Sequence, residues 1–144
     1  MANHPRDGLS LDLTDQTSAD DVHFIGEALA AFNVERSRPY DKRSLHVFLR
    51  EDGATLGGLT GFTNWEWLYI DYLWLPSTLR GAGWGARLLA SAEDEARRRG
   101  CRDSHLYSYS FQAPGFYVKH GYAIYGALEG YPPGAKRVLL RKKL

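Results

Sequence analysis

Arg80-Gly81-Ala82-Gly83-Trp84-Gly85 carries the clearest chemical signal in this chain. These residues follow an apolar run at 68–76 and lead into a segment whose apolar residues have helical spacing. A glycine-rich backbone entering a helix leaves several N–H groups facing outward, and the helix dipole adds positive potential at the same point. Such a loop suits an anion, above all a phosphate, and Arg80 stands at its mouth. A second chemical residue, Asp71, interrupts the apolar run itself. Strand alternation puts it on one face with Tyr69, Leu73 and Leu75. A carboxylate so placed is expected to be partly desolvated, with a raised pKa, and able to accept a proton directly or through water. It could equally be a buried carboxylate that orders a neighbouring loop. Glu66, on the opposite face, is the weaker candidate base.

Periodicity gives the elements that must position these residues. Leu9, Leu11 and Leu13 alternate with polar residues and predict a short strand. Ser18 predicts a helix N-cap, with Asp20 and Asp21 in the first turn and Val22, Ile25, Leu29 and Phe32 on an apolar face. Strands are predicted at 45–50 and 54–63, joined by a tight turn at Glu51-Asp52-Gly53, and a third at 65–75 after Asn64 breaks the run. Trp84, Leu88, Ala92 and Ala96, with Leu89 beside them, predict a helix over about 83–99 that Gly100 stops. Its Glu93, Asp94 and Glu95 each precede an arginine by four residues, Arg97, Arg98 and Arg99, which reads as a solvated, salt-bridged helix end. A strand at 105–110, a short helix at 113–120 and strands at 122–128 and 136–144 complete the chain. The order β, α, three-strand meander, α, β, α, β, β predicts a mixed α/β (α+β) fold, one sheet with helices packed against it.

The size of 144 residues fits a single domain, 1–144. A formal net charge of +1 offers no argument for nucleic acid or a membrane surface as partner. The single cysteine, Cys101, excludes an internal disulfide and a cysteine-based zinc site. His4, His23, His46, His105 and His120 have no metal-ligand spacing, so no metal is expected. The polar N-terminus and the shortness of the apolar runs lead to the expectation of a cytoplasmic protein. Trp65, Trp67, Tyr69 and Tyr72 crowd one strand. They read as core and contact surface, or as an aromatic wall of a binding pocket.

The glycine loop has three readings. A Walker-type loop requires Lys and then Ser or Thr, where this chain has Ala86 and Arg87. Gly81, Gly83 and Ala86 match a dinucleotide fingerprint, but Asp103 precedes its strand instead of ending it, and too little chain follows for repeated βαβ units. The third reading rests on two signatures. Arg80-x-x-Gly83-x-Gly85, between strand and amphipathic helix, resembles motif A of the GCN5-related N-acetyltransferases. About 30 residues on, Ala113-x-x-Phe116-Tyr117-x-x-x-Gly121-Tyr122 resembles that family's short helix bearing a tyrosine. The segments 110–117 and 131–134 are similar to one bacterial branch of the family. That branch often has His after the Pro-Gly pair, where this chain has Ala135.

The resemblance implies a central, mostly antiparallel, splayed mixed β-sheet and transfer of the acetyl group of acetyl-CoA to a primary amine by direct attack in a ternary complex. It implies that Gly81, Ala82, Gly83, Trp84, Gly85 and Ala86, with Arg80, grip the pyrophosphate of CoA. Leu73, Trp74 and Leu75 would hydrogen-bond the pantetheine arm and supply a backbone oxyanion donor. Ser110, Ala113, Phe116 and Tyr117 would complete the cofactor site, with Ser110 where many members have Asn. Tyr117 would protonate the leaving thiolate; a core aromatic beside Phe116 is the plainer reading. The acceptor site would draw on Asn33, Glu35, Tyr40, Asp41 and Glu129, a set suited to a cationic amine. Dimers are common in the family, so the resemblance is compatible with a homodimer. A fold that binds acyl-CoA without catalysis and a dinucleotide-binding oxidoreductase are the alternative readings.

Overall fold

The computed structural model describes residues 8–16 and 18–144; the readings placed on residues 1–7, His4 among them, lie outside the described residues. The chain divides into two compact units, residues 1–39 and 40–144. In the first unit the helix α1, Ala19–Arg36, begins where Ser18 Oγ accepts the Asp21 N–H at 3.2 Å, the N-cap read from the sequence. Its apolar residues Val22, Ile25, Leu29 and Phe32 are exposed, and no residue of α1 is buried. The predicted strand through Leu9, Leu11 and Leu13 does not form: the segment has no strand pairing and all three leucines are exposed. Alternation marks a strand only where a neighbouring strand takes its backbone groups.

The second unit is a six-stranded sheet carrying two helices. Its strands are β1 (Arg43–Glu51), β2 (Ala54–Asn64), β3 (Trp67–Trp74), β4 (Asp103–Tyr109), β5 (Ala123–Glu129) and β6 (Lys136–Lys143), with α2 (Trp84–Arg98) and α3 (Pro114–Lys119) between them. The sheet order is β1-β2-β3-β4-β6-β5, and every pair except β3–β4 is antiparallel. One parallel pair cannot make the doubly wound sheet of a dinucleotide fold, so that reading fails. The meander is closed by a two-residue turn, Trp65 and Glu66, both at positive φ. Trp65 therefore leaves the third strand. The Trp65 N–H donates to Asp41 Oδ1 at 2.8 Å, so Asp41 anchors this turn.

The helix α2 buries Leu88, Leu89, Ala92 and Ala96 against Leu45, Leu59, Leu68 and Ile70 of the meander, the face that its four-residue repeat predicts. Of the three pairs expected at four-residue spacing only Glu95–Arg99 forms, since Asp94 pairs with Arg97 and Glu95 also with Arg98, each three residues on. Glu93 is buried and pairs with Lys142, not Arg97. Arg99 is held by Glu95, the Arg43 and Ser44 carbonyls and Thr63 Oγ1, so the arginine run is not wholly solvated.

Two irregularities open the sheet. Thr60 pairs with Tyr72 and Gly61 with Ile70, so Asp71 is the extra residue of a β-bulge. Strands β3 and β4 pair only through Trp67–Asp103, Leu68–Ser104 and Tyr69–His105. Beyond Tyr69 the two strands part, and backbone groups on the facing edges of β3 and β4 are left without a strand partner.

Candidate active site

The parting of β3 and β4 is floored by the glycine loop and roofed by α3, and it encloses a cavity of about 920 Å3. On the loop side, Gly83 is left-handed (φ 86°) and caps α2 with no side chain in the way. The first bond of the helix runs from the Arg87 N–H to Gly83 O at 3.1 Å, which leaves the amides of residues 84–86 ahead of it without intrahelical partners. The Arg80 Nε donates to Leu75 O at 2.9 Å, folding the loop back against the end of β3. A Cβ on Gly85 would stand 3.3 Å from the Phe116 ring, so glycine lets α2 and α3 meet closely at the cavity floor.

From the other side α3 contributes Tyr117, 8% exposed. Its ring stands edge-on to Phe116 at 5.1 Å and to Tyr122 at 5.7 Å. Burial pushes the Tyr117 phenol up to about 12, because the site solvates a phenolate poorly. The hydroxyl therefore keeps its proton throughout the neutral range. Tyr117 is thus both a packed aromatic and a lining residue of the cavity.

Most of the residues picked out from sequence converge here. Asp71, Leu73, Trp74, Leu75, Arg80, Gly81, Gly83, Gly85, Ala86, Ala113, Phe116 and Tyr117 all line the cavity. Ala82, Trp84 and Ser110 do not. Trp84 packs against the core and under the Arg87 guanidinium at 4.3 Å. Ser110 is tied to β6: its Oγ accepts the Lys136 N–H at 3.1 Å and its own N–H donates to Lys136 O at 2.9 Å.

The desolvation expected of Asp71 is absent, for the residue is exposed. The bulge removes the simple alternation on which that expectation rested. Leu73 pairs with fully buried Leu59 and packs on the core, whereas Tyr69 pairs with Phe62 on the other face of the sheet. Glu66, Tyr40, Asp41 and Glu129 lie outside the lining, and Asn33 and Glu35 belong to α1 in the first unit. Tyr72 lines the cavity, in keeping with the aromatic-wall reading of its strand, whereas sequence reasoning missed Tyr107, Ser108, Phe111, Gln112, Lys119 and His120 as site residues. All six fall within 107–120, around the tyrosine signature already identified, so proximity in sequence was the signal. His120, read as surface or structural, lines the cavity and contacts the Phe116 ring at 4.7 Å. Among the described residues no cluster of His, Cys, Asp or Glu has the makings of a metal site.

An anion loop at a helix N-terminus, opening on a cleft where two parallel strands part and a neutral tyrosine waits, defines an acyl-CoA acyltransferase architecture. Comparison with known proteins agrees. Residues 14–122 match the model of the acetyltransferase (GNAT) family. Over 130 residues the chain is 40% identical to blasticidin-S acetyltransferase of Streptomyces morookaense, covering 90% of this chain and 95% of that protein. Its structure is similar to the crystal structure of an acetyltransferase from Bacillus cereus, with TM-score 0.78 and 35% identity over 92% of this chain and 98% of that one. An aminoglycoside 6′-N-acetyltransferase complexed with coenzyme A shares the fold, with TM-score 0.62 and 18% identity over 69% of this chain and 72% of that one. The chain belongs to the GNAT family of acetyltransferases and is an enzyme of acyl transfer.

Proposed function

We propose that the protein transfers the acetyl group of acetyl-CoA to a primary amine by direct attack, with both substrates bound at once. The observation that carries this reading is that the glycine loop and Tyr117 open on one cavity at the point where β3 and β4 part. The amides of residues 81–86 and Arg80 would take the pyrophosphate. The pantetheine arm would lie along residues 73–75 of β3 and use the backbone groups that β4 leaves unpaired. That puts the thioester at the splay, between Tyr117 and Asp71.

The chemistry follows from those positions. A neutral amine attacks the thioester carbonyl, and a β3 backbone N–H stabilises the oxyanion. When the tetrahedral intermediate collapses, the C–S bond breaks and the thiolate takes the phenolic proton of Tyr117. Asp71, open to solvent at the bulge, draws in the cationic amine and accepts its proton through water. Similarity to the Streptomyces enzyme makes blasticidin S a first acceptor to assay.

Two measurements test the reading. A folded-state ligand raises the melting temperature as its concentration passes Kd, so acetyl-CoA and CoA should each stabilise the protein while NADH does not. Tyr117→Phe should lower kcat on the order of 100-fold or more, the usual share of general acid catalysis, while the CoA-induced shift persists. Binding of CoA with no turnover on any amine would instead make the chain an acyl-CoA-binding module.

A further inference from the structure

Four aromatic side chains on the cavity wall are left unused by the CoA contacts described above, which take only the backbone of Trp74. Tyr72, Trp74 and Tyr107 project from the sheet face turned away from α2. Tyr72 pairs with Thr60 and Trp74 with Gly58, on the face where Phe62 meets Tyr69, and Tyr107 alternates with buried Leu106 and Ser108. Phe111 follows at the end of β4. Tyr72, Trp74 and Phe111 are 67%, 58% and 65% exposed, so a large aromatic area faces the cavity uncovered.

Two of these rings, Tyr107 and Phe111, belong to a packed aromatic array. Phe111 is stacked parallel to Tyr109, at 5.3 Å and 2°, and Tyr109 is stacked nearly parallel to Tyr131, at 6.1 Å and 10°. The Arg137 guanidinium locks the array, lying 3.8 Å from the Tyr107 ring centre and 4.4 Å from that of Tyr131 while donating to Tyr109 Oη at 3.0 Å. Among the described residues, Asp71 is the only carboxylate in the cavity lining.

We infer that the acceptor is an amine carried on a planar unsaturated ring, an aryl or heteroaryl group that stacks on Phe111 and Tyr72 while Asp71 holds the single ammonium. This rests on the reading of the cavity as the acetyl-transfer site and narrows the acceptor within it. A ring already stacked, as Phe111 is on Tyr109, binds another planar ring at little cost in ordering. A polyamine or aminosugar carries several cations and would call for several carboxylates, where this wall has one.

The test is an initial-rate comparison at saturating acetyl-CoA, read as thiol release, of 2-phenylethylamine, 2-cyclohexylethylamine and spermidine. The first two differ in ring planarity but carry the same aminoethyl arm. A kcat/KM for the phenyl amine about tenfold or more above both others is expected, the low end of what stacking on one aromatic side chain supplies. Phe111→Leu should bring the phenyl and cyclohexyl values together, and Phe111→Tyr should keep them apart. Equal wild-type rates for phenyl and cyclohexyl amines, or preference for spermidine, would overturn the inference and leave acetyl transfer standing. Thiol release with none of the three and with no other amine would overturn both.

Discussion

A phenol packed edge-on against two other aromatic rings surrenders its proton only with difficulty, and for Tyr117 that difficulty is measurable. Its pKa rises from the ordinary 10 to about 12 because burial penalises the phenolate. The folded-state value lies above the unfolded one, so the contribution to stability is fully present below about pH 10 and is lost as pH climbs through about 12. Two units correspond to about 2 to 3 kcal/mol. Urea unfolding between pH 9 and 12 should show stability falling through that window, and Tyr117→Phe should remove a share of this fall. Burial raises the Tyr122 phenol as well, so a residual slope is expected in the variant. For catalysis the same proton means that kcat/KM, which reports the free enzyme, shows no alkaline limb from Tyr117 below about pH 10. Asp71 acts from the opposite condition, exposure. Asp71→Asn should raise KM for a cationic amine about 10-fold while leaving the CoA-induced thermal shift intact, because that side chain meets the acceptor and not the phosphates.

Among the elements, α2 and the glycine loop were legible because a four-residue apolar repeat and consecutive glycines are local signals. The bulge at Asp71 was not, since register belongs to the pairing of two strands and one strand's sequence does not contain it. The leucines at 9, 11 and 13 show the converse, alternation without a partner strand. Glu93 was read as one of three surface charges because spacing along a helix cannot reveal a lysine 49 residues away. Two glycines test the geometry that sequence did not disclose. A Cβ on Gly61 would collide with the Tyr69 carbonyl oxygen, a backbone contact that no rotamer can relieve, beside the bulge that opens the cleft. Gly61→Ala should therefore destabilise by about 2 kcal/mol or more, in the range of overpacked cores, and impair turnover by disturbing the splay. Gly83→Ala meets no neighbouring atom but forces a side chain into the left-handed cap, costing about 1 kcal/mol. Thermal melts should rank Gly61→Ala below Gly83→Ala, and CoA titrations should show Gly83→Ala weakened by disturbance of the loop amides.

The second unit as a whole has to hold its sheet together while keeping it open in the middle. Strands β3 and β4 are joined by three residue pairs, so the halves on either side need another tie. A buried polar network supplies it. Tyr122 Oη donates to Glu93 Oε2 at 3.1 Å and so receives the Ser104 hydroxyl at 2.8 Å, while Lys142 Nζ donates to Glu93 Oε1 at 2.9 Å. Glu93 belongs to α2, which packs on the meander, whereas Ser104, Tyr122 and Lys142 come from β4, the turn after α3, and β6. The network therefore crosses from one half to the other beneath the cleft, and through Tyr122 it abuts the Tyr117 ring. Removing one partner of such a pair leaves a buried charge uncompensated, whereas removing both leaves only an apolar gap to fill. Lys142→Met should then cost about 3 kcal/mol, the low end for a broken buried pair because Lys142 is partly open to water. In Glu93→Met with Lys142→Met the Ser104–Tyr122 hydrogen bond can persist without the carboxylate, and the double variant should be more stable than Lys142→Met alone. A denaturant double-mutant cycle gives the answer directly: additive losses would mean that Glu93 and Lys142 are not coupled, and that contacts elsewhere hold the two halves of the sheet in register.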